Sequence, residues 1–510
     1  MPSVAGLETS RSAGPISSGG GRPNIASRND WIGLAIWSAA IAVVRLPATV
    51  PVSWTYFDQA AAFTFGGVRL HHQVVGLHLY HVRPGDQFGP LSILAAQALR
   101  ELGGNHVVTV AHLVVLVAGL GVLWLVADAA GRTGTDRLLV SRGAFILAGA
   151  IFLFEWDHLA LDSLHIDDAI ALVGAAVALN AISRGSAWWW AALAIGAATA
   201  AKPWAIAFLP MLAVVPHGRR RIAATVAVLI GLGVWAPFVL ADSKTLLAAR
   251  HAIVIEPSSV LRLLGVHAHR NPHWDRLAQL AAAVTLGVAA VARRRWEGVV
   301  LVAVAARIML DPSVHTYYTT GFVFGALAWD VLQPQWRWPV VTLSVASLLE
   351  LPTILTMWPA LAATLRLIAV AAAIAAVLAL PLRNKTSRAQ RAQGPLAESV
   401  YFAGTVSQDR HHASHGIISI VVTRLTKAVD GIRTAVVWER DCGNVVIDSG
   451  AHHGSTAYAL TSPAARRAYR SPREPVRSRI RHHAVANPQP RGQVKCQLRL
   501  IASRLSLRSL

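Results

Sequence analysis

Charge is what this sequence has least of. Only 14% of its 510 residues are Asp, Glu, Lys or Arg, against roughly 25% in a soluble domain, which excludes an ordinary water-exposed globule. Cysteine is scarcer still: Cys442 and Cys496 both fall in the C-terminal quarter, so neither a disulfide framework nor a cysteine-based metal knot is indicated. No HExxH or CxxC pattern occurs. No small-residue cleavage site follows the first apolar run, and more apolar runs come after it, so the N-terminal stretch does not read as a signal peptide. Residues 1–29 are Gly, Ser, Pro and Ala with scattered Arg, a composition that predicts disorder.

What is present is apolar. Hydrophobic residues make up 54% and the mean hydropathy is +0.46. From Trp31 onward, apolar runs alternate with short polar breaks, with span candidates beginning near 31, 106, 143, 169, 187, 203, 222, 277, 298, 319, 338 and 360. A crossing helix needs about 20 apolar residues. The expected fold is therefore all-α, a polytopic transmembrane helical bundle of about 10–12 spans over residues 31–382. The run 91–99 is too short to span and suits an interfacial or re-entrant piece.

Lys and Arg set the expected orientation. The short breaks 132–142, 183–186, 217–221, 293–297, 333–338 and 383–385 are basic and poor in acids. The alternate set, 51–105, 155–168, Lys202, 242–276 and 311–318, is longer and holds nearly all the Asp, Glu and His. This predicts a multi-pass cell-membrane protein with both termini cytoplasmic and the acid- and His-rich set outside.

The outer set carries the candidate chemistry. Asp58 follows the first span directly and could serve as a base, or as the N-cap of a short helix beginning at Gln59. Segment 155–168 holds Glu155, Asp157, Asp162, Asp167 and Asp168 with His158 and His165; the two histidines and flanking acids could bind a divalent metal. Lys202-Pro203 breaks a long apolar run, because proline lacks the N–H that a helix needs there. A lysine at the membrane surface either meets a lipid phosphate or points to water. Arg250, Arg262 and Arg270 add cations, and His315, Tyr317 and Tyr318 add hydrogen-bonding rings. Within the spans, Glu350 and Arg366 sit near the outer ends of adjacent runs and are expected either to pair or to snorkel separately to the interface.

These residues also carry a resemblance. Asp58, Gly66-Gly67, Leu79-Tyr80, Phe88-Gly89-Pro90-Leu91, Lys202-Pro203-Trp204, and Asp311-Pro312 with Tyr317-Tyr318 resemble GT-C membrane glycosyltransferases, and among them the glycosyltransferase 87 group of bacterial mannosyltransferases. Gly89 stands where proline is more usual, and the His-rich stretch 71–81 is not typical. The resemblance implies transfer of a sugar, such as mannose, from a polyprenyl-phosphate donor to a cell-envelope glycan or glycolipid acceptor. It implies Asp58 as base, Lys202 with Arg250, Arg262 or Arg270 on the leaving phosphate, and His315, Tyr317 and Tyr318 on the sugar. It requires no cofactor, and the expected surroundings are membrane lipids rather than nucleic acid. The alternative is a non-enzymatic polytopic protein, a lipid or polysaccharide transporter or an assembly partner.

After Arg383 the character changes. Residues 383–510 carry 21 Lys and Arg against 7 Asp and Glu, so +14 of the net +21 lies there. This tail predicts a basic, low-complexity and mostly disordered cytoplasmic segment.

Overall fold

The computed structural model describes residues 25–45, 50–70, 73–132, 141–185, 187–313, 315–355 and 357–380. The expectations for the tail and for residues 1–24 fall outside the described residues. Helix α1 (Arg28–Arg45) starts before the expected end of the N-terminal disordered stretch. The Ser27 amide donates to the Asp30 carboxylate at 2.7 Å and the Asp30 amide donates to Ser27 Oγ at 3.4 Å. That reciprocal arrangement is a capping box, and Arg142 clamps Asp30 from another helix at 2.7 Å.

The described chain is almost entirely helical. After α1 come α2 (Val52–Phe65), α3 (Leu79–Val82), α4 (Pro90–Gly103), α5 (Val107–Arg132), α6 (Arg142–Asp157), α7 (Ile166–Ser183) and α8 (Trp188–Ala201). They are followed by α9 (His217–Gly233), α10 (Ala236–Ala241), α11 (Val260–Leu263), α12 (Asp275–Ala292), α13 (Val299–Leu310), α14 (Thr316–Leu332), α15 (Val340–Ile354) and α16 (Pro359–Leu378). The β structure comprises a hairpin of two-residue strands, Arg69–Leu70 with Gln73–Val74, and a lone bridge between Val254 and Arg270.

Among the described residues, five helical stretches are long and apolar enough to cross a membrane: Pro90–Arg132, Arg142–Ser163, Ile166–Ser183, Asp275–Ala292 and Pro359–Leu378. The first corrects the expectation for the short run 91–99, which does not stand alone but joins α5 through one turn at Gly104–His106. The Lys202-Pro203 break falls as expected, yet it leads into a 3₁₀ helix, Pro203–Val214, with Pro210 inside it. At about 2.0 Å rise per residue, its 12 residues reach farther than an α-helix of the same length.

The packing suits lipid rather than water outside. Val43, Val44, Val117, Leu229, Leu240, Ile354 and Trp358 all lie exposed, large apolar side chains that lipid would solvate. Small residues let the helices approach closely: a Cβ at Gly174 would stand 2.7 Å from the Ala194 carbonyl, and one at Gly196 would stand 2.9 Å from that of Ala227. The polar contacts fall into two sets at opposite ends of the bundle. At one end Asp128 takes Arg132 at 2.9 Å and Arg184 at 3.1 Å, and the Arg293 and Arg295 guanidiniums cap α16 by donating to the carbonyls of Leu378 and Val377. The acid- and His-rich segment 155–168, Lys202 and the 311–318 segment meet one another at the other end.

Candidate functional site

The site is built around a corner between α6 and α7. After Asp157 the backbone widens into one π-helical turn, His158–Ser163, and Leu164 then takes a left-handed conformation at φ 48°. A buried leucine there is strained by about 1–2 kcal/mol, and π-turns are frequent at functional sites. The corner delivers His165 and places Asp167 and Asp168 in the first turn of α7, where the helix dipole favours negative charge.

Lys202, at the end of α8, reaches into this corner. Its Nζ lies 2.5 Å from Asp167 Oδ2 and 2.9 Å from Asp168 Oδ2. Arg307 of α13 stands 3.6 Å from Asp168 and 3.5 Å from Asp311. His165 Nδ1 approaches Asp167 at 2.8 Å and Asp168 at 3.3 Å. Asp311 also accepts from the Ser313 amide and hydroxyl, each at 3.0 Å. Three carboxylates therefore face two permanent cations, all of them buried.

Aromatic rings close the cluster over. His165 stacks on Tyr317 with centroids 3.7 Å apart, and Tyr317 in turn stacks on His315 at 5.0 Å. The Arg307 guanidinium lies 4.1 Å from the Tyr318 ring and 4.5 Å from that of Trp204. Between these groups is a narrow cleft, lined by Asp168, Leu172, Trp204, Val304, Arg307, Tyr317, Tyr318 and Gly321. The buried indole N–H of Trp204 makes no hydrogen bond.

Compared with protein-family models, with curated proteins and with solved structures, the chain matches none. Function has to be argued from the site itself.

The structure corrects the role expected of Lys202. It neither points to water nor stands free for a phosphate, because two carboxylates already neutralise it. The atoms of His165, Asp167 and Asp168 lie within 4.8 Å of one another, a spacing that would suit a cation, but the Lys202 ammonium sits against both carboxylates. The metal pairing considered for His158 and His165 is not formed either. His158 bonds Asp162 at 2.6 Å beside Arg45, whereas His165 turns to Asp167.

Asp58 lies in the middle of α2 rather than at an N-cap, since the helix already starts after Pro51. It stands 3.4 Å from Arg100 with its side chain 41% exposed. The residue before it, Phe57, faces the cluster, edge-on to His165 at 5.9 Å. Arg250 and Arg270 are exposed, and Arg262 is half-buried with its guanidinium 3.4 Å from the Ile255 carbonyl. Burial first, then the cations Arg270 and Arg276, push His251 below the usual imidazole range. Those cations therefore share a patch beside Gln87, which accepts from Arg276 at 2.5 Å. Glu350 and Arg366 form no salt bridge among the described residues. Arg366 donates to the Ser258 carbonyl at 2.8 Å and Glu350 is hydrogen-bonded to Thr319, while each still feels the other's charge. Arg307 is the residue that sequence reasoning misses, since a cation at a span end is unremarkable by itself; its four-residue spacing from Asp311 on one helix edge is the usable signal.

Asp86, in the loop before α4, gives a pH signature. Burial pushes its carboxyl up to about 6 against the pull of Arg83, whose Nε lies 2.9 Å away. The folded state thus binds the proton more tightly than the unfolded chain. Stability contributed by this group is whole below about pH 4 and is lost as pH rises through about 6, by about 2–3 kcal/mol. An Asp86→Asn variant should gain in Tm over the wild type as pH is raised from about 4 to about 7. A Tm difference that stays flat with pH would exclude this titration.

Proposed function

We propose that the chain is a membrane glycosyltransferase that moves a sugar from a polyprenyl-phosphate donor to a cell-envelope glycan or glycolipid acceptor on the extracytoplasmic side. The supporting observation is the aromatic cleft above the buried charges. Trp204, Tyr317 and Tyr318 offer ring faces, and the Trp204 N–H is an unpartnered donor for a sugar hydroxyl. Opened by movement of these side chains, the cleft would take one sugar ring, with the polyprenyl chain left in the bilayer.

In this reading the anomeric carbon leaves the phosphate oxygen and bonds the acceptor oxygen. The acceptor proton passes to the exposed carboxylate of Asp58, and polyprenyl phosphate departs. The exposed Arg250 and Arg270 are the cations for the phosphate, with Arg262 behind them. His315 and Tyr317 orient the sugar. Lys202 positions the aspartates and through them the ring stack. The shorter apolar helices complete a bundle of about 10–12 spans, both termini are cytoplasmic, and no metal is required.

The test is transfer from a radiolabelled polyprenyl-phosphate sugar in membranes containing the full chain. Asp58→Asn should cut transfer by about 10²–10⁴-fold, the usual worth of a general base. Near-normal transfer by that variant sinks the base assignment. A second reading, a non-enzymatic lipid or polysaccharide transporter, is favoured by one observation: the buried cations are already neutralised. Translocation of labelled lipid in proteoliposomes without any transfer would establish it.

A further inference from the structure

Two histidines of the atypical His-rich stretch converge on a single carboxylate. His78 Nδ1 lies 3.2 Å and His81 Nδ1 2.7 Å from the same oxygen, Oδ2 of Asp242. They come from one short helical run, Gly76–Val82, at i and i+3, and so share a face. The carboxylate's other oxygen is fixed by the Lys244 amide at 2.9 Å, the kind of outer contact that orients a metal ligand.

The two backbone segments are held together independently of these side chains. Tyr80, fully buried between the two histidines in sequence, packs on Trp235 and Phe238 with centroids 4.8 and 5.2 Å away. Its hydroxyl donates to the Phe88 carbonyl at 3.0 Å. The histidine side chains are 51% and 43% exposed, so ions in solution reach them. The buried grouping of His165, Asp167 and Asp168 is different, because there Lys202 supplies the positive charge.

We infer that His78, His81 and Asp242 form a surface site for a divalent transition-metal ion of the zinc–cobalt–nickel class. Two imidazoles and one carboxylate are a donor set that such ions favour. Tetrahedral bonds of about 2.0–2.1 Å place neighbouring ligand atoms about 3.3 Å apart, close to the His78–Asp242 separation and somewhat wider than the His81–Asp242 hydrogen bond, which an entering ion would spread. Rotation of the half-exposed rings closes the third edge, and water completes the sphere. The bound ion clips the 76–82 run to the start of the 242–276 loop.

The test is titration of the full-length chain in detergent with cobalt(II), whose visible absorption is intense only in tetrahedral sites. The wild type should take up one equivalent with that band, and a His71→Ala/His72→Ala control should retain it. His78→Ala and His81→Ala should each weaken uptake by about tenfold or more, and Asp242→Asn by a similar factor, outer partners alone being worth about 10–100-fold. Asn caps a helix as well as Asp does, so a merely structural Asp242 would leave the titration unmoved. A wild type without the band overturns the site. So does a His78→Ala/His81→Ala variant whose titration superimposes on the wild type.

Discussion

Replacing Lys202 by methionine should cost about 3–5 kcal/mol of stability, the usual loss when one partner of a buried ion pair is removed. Methionine fills the volume of the lysine stem but leaves Asp167 and Asp168 without the ammonium that lies 2.5 and 2.9 Å from them. With Asp311 and Arg307 included, the cluster goes from three carboxylates and two cations to three and one. Adding Asp167→Asn returns the balance to that of the wild type, so the double variant should recover at least half of the loss. The readout is Tm in detergent, expected to fall by about 10 °C in the single variant. A double variant as unstable as the single would refute the charge argument. A lysine that served the donor phosphate instead would behave differently, leaving Tm alone and raising KM.

Much of this arrangement is legible in the sequence as separate pieces. The scarcity of charge demands lipid, and the basic loops sort the breaks into two ends. Lys202-Pro203 marks a helix boundary because proline cannot donate. The acids of 155–168, Lys202 and the 311–318 loop are each visible as polar interruptions, and they do converge. What composition cannot supply is partnership. Asp168 and Lys202 lie 34 residues apart, and whether they touch depends on how α7 and α8 are rotated about their axes.

Rotation also explains the misses. Glu350 and Arg366 lie on neighbouring helices and feel each other's charge, yet Arg366 hydrogen-bonds the Ser258 carbonyl while Glu350 is hydrogen-bonded to Thr319. Depth can be read from a hydropathy profile, but azimuth cannot when helices are apolar all round. Asp58 is misplaced for a local reason. Gln59-Ala-Ala-Ala looks like the beginning of a helix, whereas Pro51, its φ already fixed, sets the start about two turns earlier.

Gly89→Ala should be nearly as damaging as Lys202→Met, although it adds only one methyl group. A Cβ at this position would lie 2.0 Å from the Ala200 carbonyl oxygen and 2.9 Å from that of Ala201. Both obstacles are backbone at the end of α8, so no side chain can swing aside. The lead-in to α4 has to lift off instead. That breaks the bonds that Ala201 O accepts from the Gly89 amide at 2.7 Å and from Ser92 Oγ at 3.1 Å. Overpacking of about 1–3 kcal/mol and two lost hydrogen bonds of about 0.5–1.5 kcal/mol each bring the expected cost to about 3–5 kcal/mol. Gly89→Pro should fare no better, because this chain uses the amide that proline lacks. Ser92→Ala, which removes only one bond, should cost about 1 kcal/mol. The damage should reach transfer as well as Tm. Phe88 packs on Phe57 with centroids 4.5 Å apart, next to Asp58, while Ala201 precedes Lys202, so a shift at Gly89 disturbs Asp58, the proposed base, and the charge cluster together. A Gly89→Ala protein whose Tm stays within about 2 °C of the wild type would show that α4 and α8 do not meet at this carbonyl.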